Sequence, residues 1–178
     1  MHLYTGQGKG KTTAAIGLTI RALGAGWKVA MIQFDKARED TDASYSERTI
    51  LRELKDLDLY PFGANRILGP GKFRFTNTDE DREEARQGFL TAERLLKEGR
   101  YDLLILDEMI SAVQSGLITS ADVMRLIDLY HQDRKCELVM TGRGAWPELE
   151  ERADLVTDMR KVKHYFDQKE PPKKGIEY

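Results

Sequence analysis

The segment Thr5-Gly6-Gln7-Gly8-Lys9-Gly10-Lys11-Thr12-Thr13 combines glycine, lysine and hydroxyl side chains in an order suited to binding a triphosphate. Its alternating glycines allow positive φ, so successive backbone N–H groups can converge on phosphate oxygens at the start of a helix. In this P-loop motif Lys11 would reach the phosphates, and Thr12 would place its hydroxyl on Mg²⁺. Thr5 stands where the motif usually has its first glycine. The alternative interpretation is an ordinary glycine-rich turn with solvated lysines.

Two adjacent carboxylates, Asp107 and Glu108, follow the apolar run of residues 103–106. If that run is a buried strand, both side chains lie at its carboxyl end, which is the edge where open α/β sheets bind ligands. Oxygen ligands suit Mg²⁺, so one carboxylate can hold the ion directly or through water. The competing interpretation makes the pair an acidic cap on a following helix. The glycine-rich segment favours metal binding.

Arg143 lies in the sequence Thr141-Gly142-Arg143-Gly144, directly after another apolar run. Its guanidinium would project at the same edge of the sheet, where it could stabilise phosphate charge. A surface arginine in a glycine turn fits the same spacing.

Cys136 is the one cysteine in the sequence, so the chain cannot form an intramolecular disulfide. We interpret Cys136 as a small buried residue.

Phe73 and Phe75 alternate around Arg74 in a glycine-rich stretch, so both would point the same way if the chain is extended there. Two such rings could form a platform for a ligand. Local packing is the alternative, and it is the more common role of aromatic residues in loops.

The elements that must position these residues alternate between short apolar runs and amphipathic stretches, which predicts a mostly parallel sheet covered by helices. The sequence predicts strands at residues 3–4, 28–34, 103–106, 137–141 and 155–159, and helices at residues 12–23, 45–54, 79–98, 120–131 and 147–153. Residues 35–46 are predicted to form a mobile surface loop, and residues 57–78 to be mostly irregular because of their prolines and glycines. We expect one α/β nucleotide-binding domain spanning residues 1–178.

Composition excludes several classes of protein. The 178 residues include 28 basic and 30 acidic side chains, a formal net charge of -2, so no global field indicates binding to nucleic acid or to an anionic membrane. The first residues lack a basic leader followed by a continuous apolar run, and no later run is long enough to cross a bilayer. We therefore expect a soluble cytoplasmic protein.

Several segments together resemble one family, the P-loop type of cob(I)alamin adenosyltransferases, also called corrinoid adenosyltransferases. The matching pieces span nearly the whole chain, and Thr5 in place of the first P-loop glycine is also typical of this family. They are Tyr4-Thr5-Gly6-Gln7-Gly8-Lys9-Gly10-Lys11-Thr12-Thr13-Ala14-Ala15, Arg21-Ala22-Leu23-Gly24, Gln33-Phe34, Leu106-Asp107-Glu108, Gly116-Leu117-Ile118, Thr141-Gly142-Arg143, Ala153-Asp154-Leu155-Val156-Thr157, Val162-Lys163-His164 and Gly175-Ile176-Glu177-Tyr178.

The resemblance implies transfer of the 5′-deoxyadenosyl group of ATP to the cobalt of a reduced corrinoid, with release of triphosphate. The reduced cobalt is itself the nucleophile, so the protein contributes positioning and charge stabilisation. By this resemblance Thr12 and Glu108 bind Mg²⁺, and the P-loop glycines hold the phosphates together with Lys11 and Thr12. Phe73 and Phe75 match an aromatic pair, often Phe-x-Trp in the family, that lies beside the corrinoid.

The resemblance further implies a RecA-like fold, a homodimer and a separate source of electrons, for which a flavoprotein reductase is a candidate. Two other functions remain open from the residues alone. A P-loop ATPase or small kinase would use the same loop for phosphoryl transfer, and a non-catalytic module would bind nucleotide or corrinoid without turnover.

Overall fold

The computed structural model describes residues 1–37, 45–69, 72–74 and 76–176. Its strands are β1 (His2–Thr5), β2 (Val29–Phe34), β3 (Leu57–Phe62), β4 (Ile67–Gly69), β5 (Lys72–Phe73), β6 (Leu103–Asp107), β7 (Glu137–Thr141) and β8 (Leu155–Asp158). Its helices are α1 (Lys11–Gly24), α2 (Glu47–Leu51), α3 (Asp79–Glu98), α4 (Met109–Gln114), α5 (Ser120–Asp133) and α6 (Pro147–Glu151), followed by a 3₁₀ helix at Tyr165–Gln168.

Six strands form one sheet in the order β3-β2-β6-β7-β1-β8, and every pair in it is parallel. The short strands β4 and β5 form a separate antiparallel pair. A parallel sheet needs crossover connections, and helices provide them here. The predicted α/β class with a mostly parallel sheet is therefore confirmed.

The central strands β2 and β6 are buried along their whole length. Alternate side chains point to opposite faces of a strand, so each strand contributes to two apolar layers. Ile32 and Leu106 pack in the layer that includes residues of α3, α4 and α5. Met31 and Ile105 pack in the layer that includes residues of α1. Helices therefore cover both faces, as the sequence predicts.

Helix α3 has the bounds that the sequence predicts for it. Its N-cap is Thr78, whose hydroxyl accepts a hydrogen bond from the backbone N–H of Asp81, while the Asp81 carboxylate accepts one from the backbone N–H of Thr78. A cap of this kind stabilises a helix by about 1 kcal/mol. Asp81 is thereby fixed at the N-terminus of α3.

The prediction that residues 57–78 are mostly irregular is wrong for β3, which extends the main sheet. Pro61 lies on this edge strand, where its missing N–H removes no hydrogen bond from the sheet interior.

Helix α4 is not predicted from the sequence, since its six residues are too short to show a helical period. Helix α2 is shorter than predicted. The predicted loop at residues 35–46 falls partly on residues 38–44, which lie outside the described residues.

No helix in the described part of the chain combines the length and apolar character needed to cross a bilayer.

Candidate active site

The glycine-rich segment forms the connection between β1 and α1. Gly6 and Gly10 adopt φ values of 98° and 109°, in the left-handed region that favours glycine. Because β1 lies between β7 and β8 in the sheet, the loop emerges at the carboxyl edge beside the ends of both neighbours. The strand–loop–helix context that defines a P-loop is present.

Two glycines of the loop pack against the end of β8 and the residues that follow it. A Cβ atom at Gly6 would lie 2.1 Å from Oδ1 of Asp158, and one at Gly8 would lie 2.4 Å from the carbonyl oxygen of Met159. The backbone N–H of Gly8 also donates to that carbonyl, at 2.5 Å. Any side chain at these positions would push the loop away from β8, so glycine is required there by close approach.

Lys11 is buried at the start of α1. Its Nζ donates to the carbonyl oxygens of Gly6, at 2.8 Å, and Gly8, at 2.6 Å. Burial lowers the pKa of Lys11 below its ordinary value, although the carboxylate of Glu108 opposes that effect. The ammonium group therefore lies inside the curve of the loop, where a phosphate would be bound.

Asp107, at the end of β6, is completely buried and accepts three side-chain hydrogen bonds. Its Oδ1 accepts from Thr12 Oγ1 at 2.9 Å and from Thr141 Oγ1 at 2.7 Å. Its Oδ2 accepts from Lys36 Nζ at 2.6 Å. Burial alone would raise the pKa of Asp107, but the Lys36 ammonium and the hydroxyl donors hold it below its ordinary value. Asp107 thus joins β6, β7, α1 and the end of β2.

Sequence reasoning did not identify Lys36. It follows β2, whose residue Gln33 lies opposite Asp107 in the parallel pair with β6. Burial alone would lower the pKa of Lys36, but the charge of Asp107 raises it above its ordinary value. The signal in the sequence is a charged residue two positions after a buried strand. The order of strands, which the local pattern does not contain, is what brings Lys36 to Asp107.

Arg48 of α2 is a second buried cation that sequence reasoning missed. Its Nε donates to the side-chain oxygen of Gln33 at 2.8 Å, and its Nη1 donates to the carbonyl of Ala37 at 2.6 Å. Its guanidinium carbon also lies 4.2 Å from the centre of the Tyr45 ring. These contacts hold the chain on both sides of Lys36.

Glu108 occupies the N-cap position of α4 with φ 63°, and its side chain makes no capping hydrogen bond. Its backbone N–H instead donates to Thr141 Oγ1 at 2.9 Å. The side chain faces the cleft above the P-loop. This geometry favours a ligand-facing role for Glu108 over the alternative of a helix cap.

Arg143 follows β7 and lies on the same cleft. Its backbone N–H donates to Ser111 Oγ at 2.9 Å, which ties the turn to α4. Gly142 has φ 144°, and a Cβ atom there would lie 2.4 Å from the backbone nitrogen of Ser111. The turn therefore packs closely on α4 and presents the Arg143 side chain to the cleft.

The cleft has a volume of about 1110 Å³ and brings together most of the residues that the sequence singles out. Those that line it are Gln7, Gly8, Lys9, Gly10, Lys11, Thr12, Thr13, Glu108 and Arg143. Asp107 lies buried beneath them. The cleft is also lined by residues that sequence reasoning did not select, among them Lys36, Tyr45, Glu47, Lys161, His164 and Asp167.

The structure does not test the aromatic pair. Phe73 lies on β5, in the antiparallel pair with β4, and Phe75 lies outside the described residues. Their role therefore stays a prediction.

A parallel sheet with a glycine loop after its first strand, a buried lysine inside that loop and carboxylates at the end of another strand defines a P-loop protein with a RecA-like fold. A solved structure of a KaiC-like protein from the hyperthermophilic archaeon Pyrococcus horikoshii has a similar fold, with a TM-score of 0.56 and 15% identity. The similarity covers 90% of this chain and 71% of that one.

The chain belongs to the family described as ATP:corrinoid adenosyltransferase BtuR/CobO/CobP, whose model matches residues 1–178. It is 34% identical to a corrinoid adenosyltransferase of Pseudomonas aeruginosa, over 99% of this chain and 82% of that protein. It is 31% identical to a corrinoid adenosyltransferase of Escherichia coli K12, over 99% of this chain and 84% of that protein. The family that the sequence resembles is thus confirmed.

Proposed function

We propose that this protein is an enzyme that transfers the 5′-deoxyadenosyl group of ATP to the cobalt of a reduced corrinoid. The observation that carries this proposal is the full-length family match of a chain whose P-loop, Glu108 and Arg143 face one cleft. The cleft offers cations for a triphosphate, among them Lys11, Lys36 and Arg143. Such a cleft suits a reaction in which the protein positions ATP and stabilises charge on its triphosphate, while the reduced corrinoid brings its own nucleophile.

The bond changes are simple. The electron pair of reduced cobalt forms a bond with the 5′ carbon of ATP, and the bond from that carbon to the triphosphate oxygen breaks with its electron pair leaving on the triphosphate. The protein must therefore stabilise the negative charge that grows on the leaving group. Lys11 and Arg143 are the cations that we assign to this role, with the P-loop N–H groups as further donors.

Mg²⁺ would be held by the Thr12 hydroxyl and the Glu108 carboxylate. Both supply the hard oxygen ligands that this ion prefers. Asp107 fits a supporting role better than a direct one, because its oxygens already accept hydrogen bonds from Lys36, Thr12 and Thr141. Phosphate and water oxygens would complete the coordination of Mg²⁺, which usually keeps several waters and binds through substrate phosphates.

The corrinoid would bind beside the β4–β5 hairpin, with Phe73 and Phe75 as its aromatic contacts. We also propose that residues 1–178 act as a single nucleotide-binding domain, in a cytoplasmic homodimer that receives electrons from a flavoprotein reductase. These assignments rest on the family's pattern and on the position of the hairpin in the chain.

The test is to incubate the protein with ATP, Mg²⁺ and chemically reduced cobalamin. A light-sensitive adenosylated product formed in equal amount with triphosphate is the expected result. Release of phosphate without corrinoid would instead support an ATPase or kinase. Binding of ATP and cobalamin without turnover would support a non-catalytic module.

A further inference from the structure

The β4–β5 hairpin is flanked by two arginines. Arg66 directly precedes β4 and Arg74 directly follows β5. The backbone N–H of Arg74 donates to the carbonyl oxygen of Arg66 at 2.8 Å, so the two residues lie side by side at the base of the hairpin. Whatever holds these arginines also holds the hairpin.

Arg74 is held by Asp81, a carboxylate that is almost completely buried. Both terminal nitrogens of Arg74 donate to it, Nη1 to Oδ2 and Nη2 to Oδ1, the latter at 3.0 Å. Paired bonds of this kind fix orientation as well as distance. Since Asp81 also belongs to the N-terminal cap of α3, Arg74 ties one side of the hairpin to a rigid helix.

Arg66 is held mainly by Asp35. Its Nε donates to Oδ1 of Asp35 at 2.6 Å, and its Nη2 donates to the side-chain oxygen of Asn77 at 3.0 Å. The two charged side chains are mostly shielded from solvent, with exposures of 17% for Arg66 and 31% for Asp35. A shielded, hydrogen-bonded pair contributes more than an exposed one.

Asp35 connects the hairpin with the nucleotide cleft because its neighbour is Lys36. The Asp35 side chain contacts Arg66, and the side chain of the next residue, Lys36, contacts Asp107. Asp35 has φ 52°, a left-handed conformation that a non-glycine residue adopts at some cost. The backbone here also packs on the end of β3, since a Cβ atom at Gly63 would lie 2.6 Å from the nitrogen of Lys36.

We propose that Asp35 and Arg66 are positioning residues for the corrinoid, holding the β4–β5 hairpin at a fixed place relative to the ATP cleft. The proposal rests on the proposed role of the hairpin in corrinoid binding. Arg74 and Asp81 fix the hairpin to α3, whereas Asp35 and Arg66 fix it to the chain that carries Lys36. Loss of the contact between Asp35 and Arg66 leaves the ATP site complete, but the hairpin that contacts the corrinoid is then no longer held in its place.

The test measures steady-state kinetics of adenosyl transfer for Asp35→Asn and Arg66→Gln, each alone and combined. Asparagine tolerates the left-handed conformation, so Asp35→Asn removes the charge without forcing the backbone to change. We expect the KM for cobalamin to rise about five- to tenfold in each single variant, with the KM for ATP and kcat within about twofold of the original. The double variant should be no worse than Arg66→Gln alone, because Arg66→Gln already removes the contact with Asp35.

Two further variants serve as controls. Arg66→Lys keeps the charge and should give an intermediate KM for cobalamin. Arg86→Gln removes the exposed pair between Arg86 and Glu83 on α3, where the atoms are 2.8 Å apart, and should change neither KM. Thermal melting of each variant checks that the fold is retained.

The outcomes separate this proposal from the proposed function. If the original protein forms no adenosylated product, the proposed function fails. If Phe73→Ala, on β5, raises the KM for cobalamin but the Asp35 and Arg66 variants do not, the positioning role alone is overturned. It is also overturned if those variants lower kcat and weaken ATP binding to the same extent, which would indicate a general structural role. If Phe73→Ala has no effect on the KM for cobalamin, the hairpin does not contact the corrinoid, and the positioning role falls with it.

Discussion

The Nζ atom of Lys36 lies 2.6 Å from Oδ2 of Asp107, while Oδ1 of the same carboxylate accepts a hydrogen bond from Thr12. The pair has side-chain exposures of 12% and 0%. A carboxylate at the end of the strand beside a P-loop is the usual candidate for a magnesium ligand. Here its charge is balanced by a lysine of the protein, so Asp107 orients Thr12 and leaves Glu108 as the carboxylate that faces the cleft.

Replacing Lys36 should therefore destabilise the protein. In Lys36→Met, the buried Asp107 loses its counterion, and we expect the free energy of unfolding to fall by about 3 kcal/mol, as measured by urea denaturation. The double variant Lys36→Met with Asp107→Asn should recover part of that loss, because the uncompensated charge is gone. Arg94→Gln, which removes an exposed pair with Glu98, serves as the control and should change stability by less than about 0.5 kcal/mol. Equal stability of the single and double variants would contradict this account.

Lys11→Ala should abolish adenosyl transfer with little effect on the fold. The variant loses the cation that lies within the P-loop, and we expect kcat/KM to fall at least about a hundredfold. The measurement is product formation at saturating cobalamin, with circular dichroism to verify folding. Lys97→Ala, which alters an exposed lysine in the last turn of α3, should behave like the original protein. Near-normal turnover in Lys11→Ala would remove the basis for the proposed phosphate site.

Two glycine-to-alanine changes should affect different properties: Gly8→Ala should weaken ATP binding, and Gly17→Ala should raise the stability of the fold. In Gly8→Ala the new Cβ atom would lie 2.4 Å from the carbonyl oxygen of Met159, so the loop must shift and ATP binding should weaken about tenfold or more. In Gly17→Ala, on the exposed side of α1, the new Cβ atom has no neighbour within 4 Å. That change should stabilise the protein by up to about 1 kcal/mol, because alanine favours a helix over glycine. Isothermal titration with ATP and thermal melting distinguish the two effects.

Asp81 should make a measurable contribution to acid sensitivity. Burial alone would raise its pKa, but Arg74 and the cap at Thr78 hold it well below the ordinary range of a carboxyl group. A carboxylate with a depressed pKa stabilises the fold above its unfolded pKa, and this contribution is lost as the pH falls towards the folded value. Asp81→Asn should therefore be less stable at neutral pH and show a shallower loss of stability between about pH 5 and pH 2. Parallel acid curves for the two proteins would mean that Asp81 does not contribute in this way.

The sequence predicts the fold and most of the cleft because the informative residues follow strands. Lys11, Glu108 and Arg143 each come after an apolar run, and in a parallel sheet all such ends lie at one edge. Lys36 also follows a strand, but its role depends on β2 lying next to β6, and strand order is a non-local property. The local pattern does not predict the Asp35–Arg66 contact for the same reason. It does not predict β3 because Pro61 argues against a central strand, although proline is acceptable in an edge strand.

The position of β1 has a consequence for synthesis on the ribosome. β1 is translated before the other strands of the sheet, yet its partners are β7 and β8, which are translated after the rest. The P-loop also packs against Met159, just after the end of β8, and donates a hydrogen bond from the Gly8 N–H to its carbonyl oxygen. At a translation rate of about 5–20 residues per second, the nascent chain spends several seconds with its phosphate-binding segment unsupported. If the loop binds ATP as proposed, ATP cannot assist the early stages of folding, and it can stabilise only a chain in which β7 and β8 are already made.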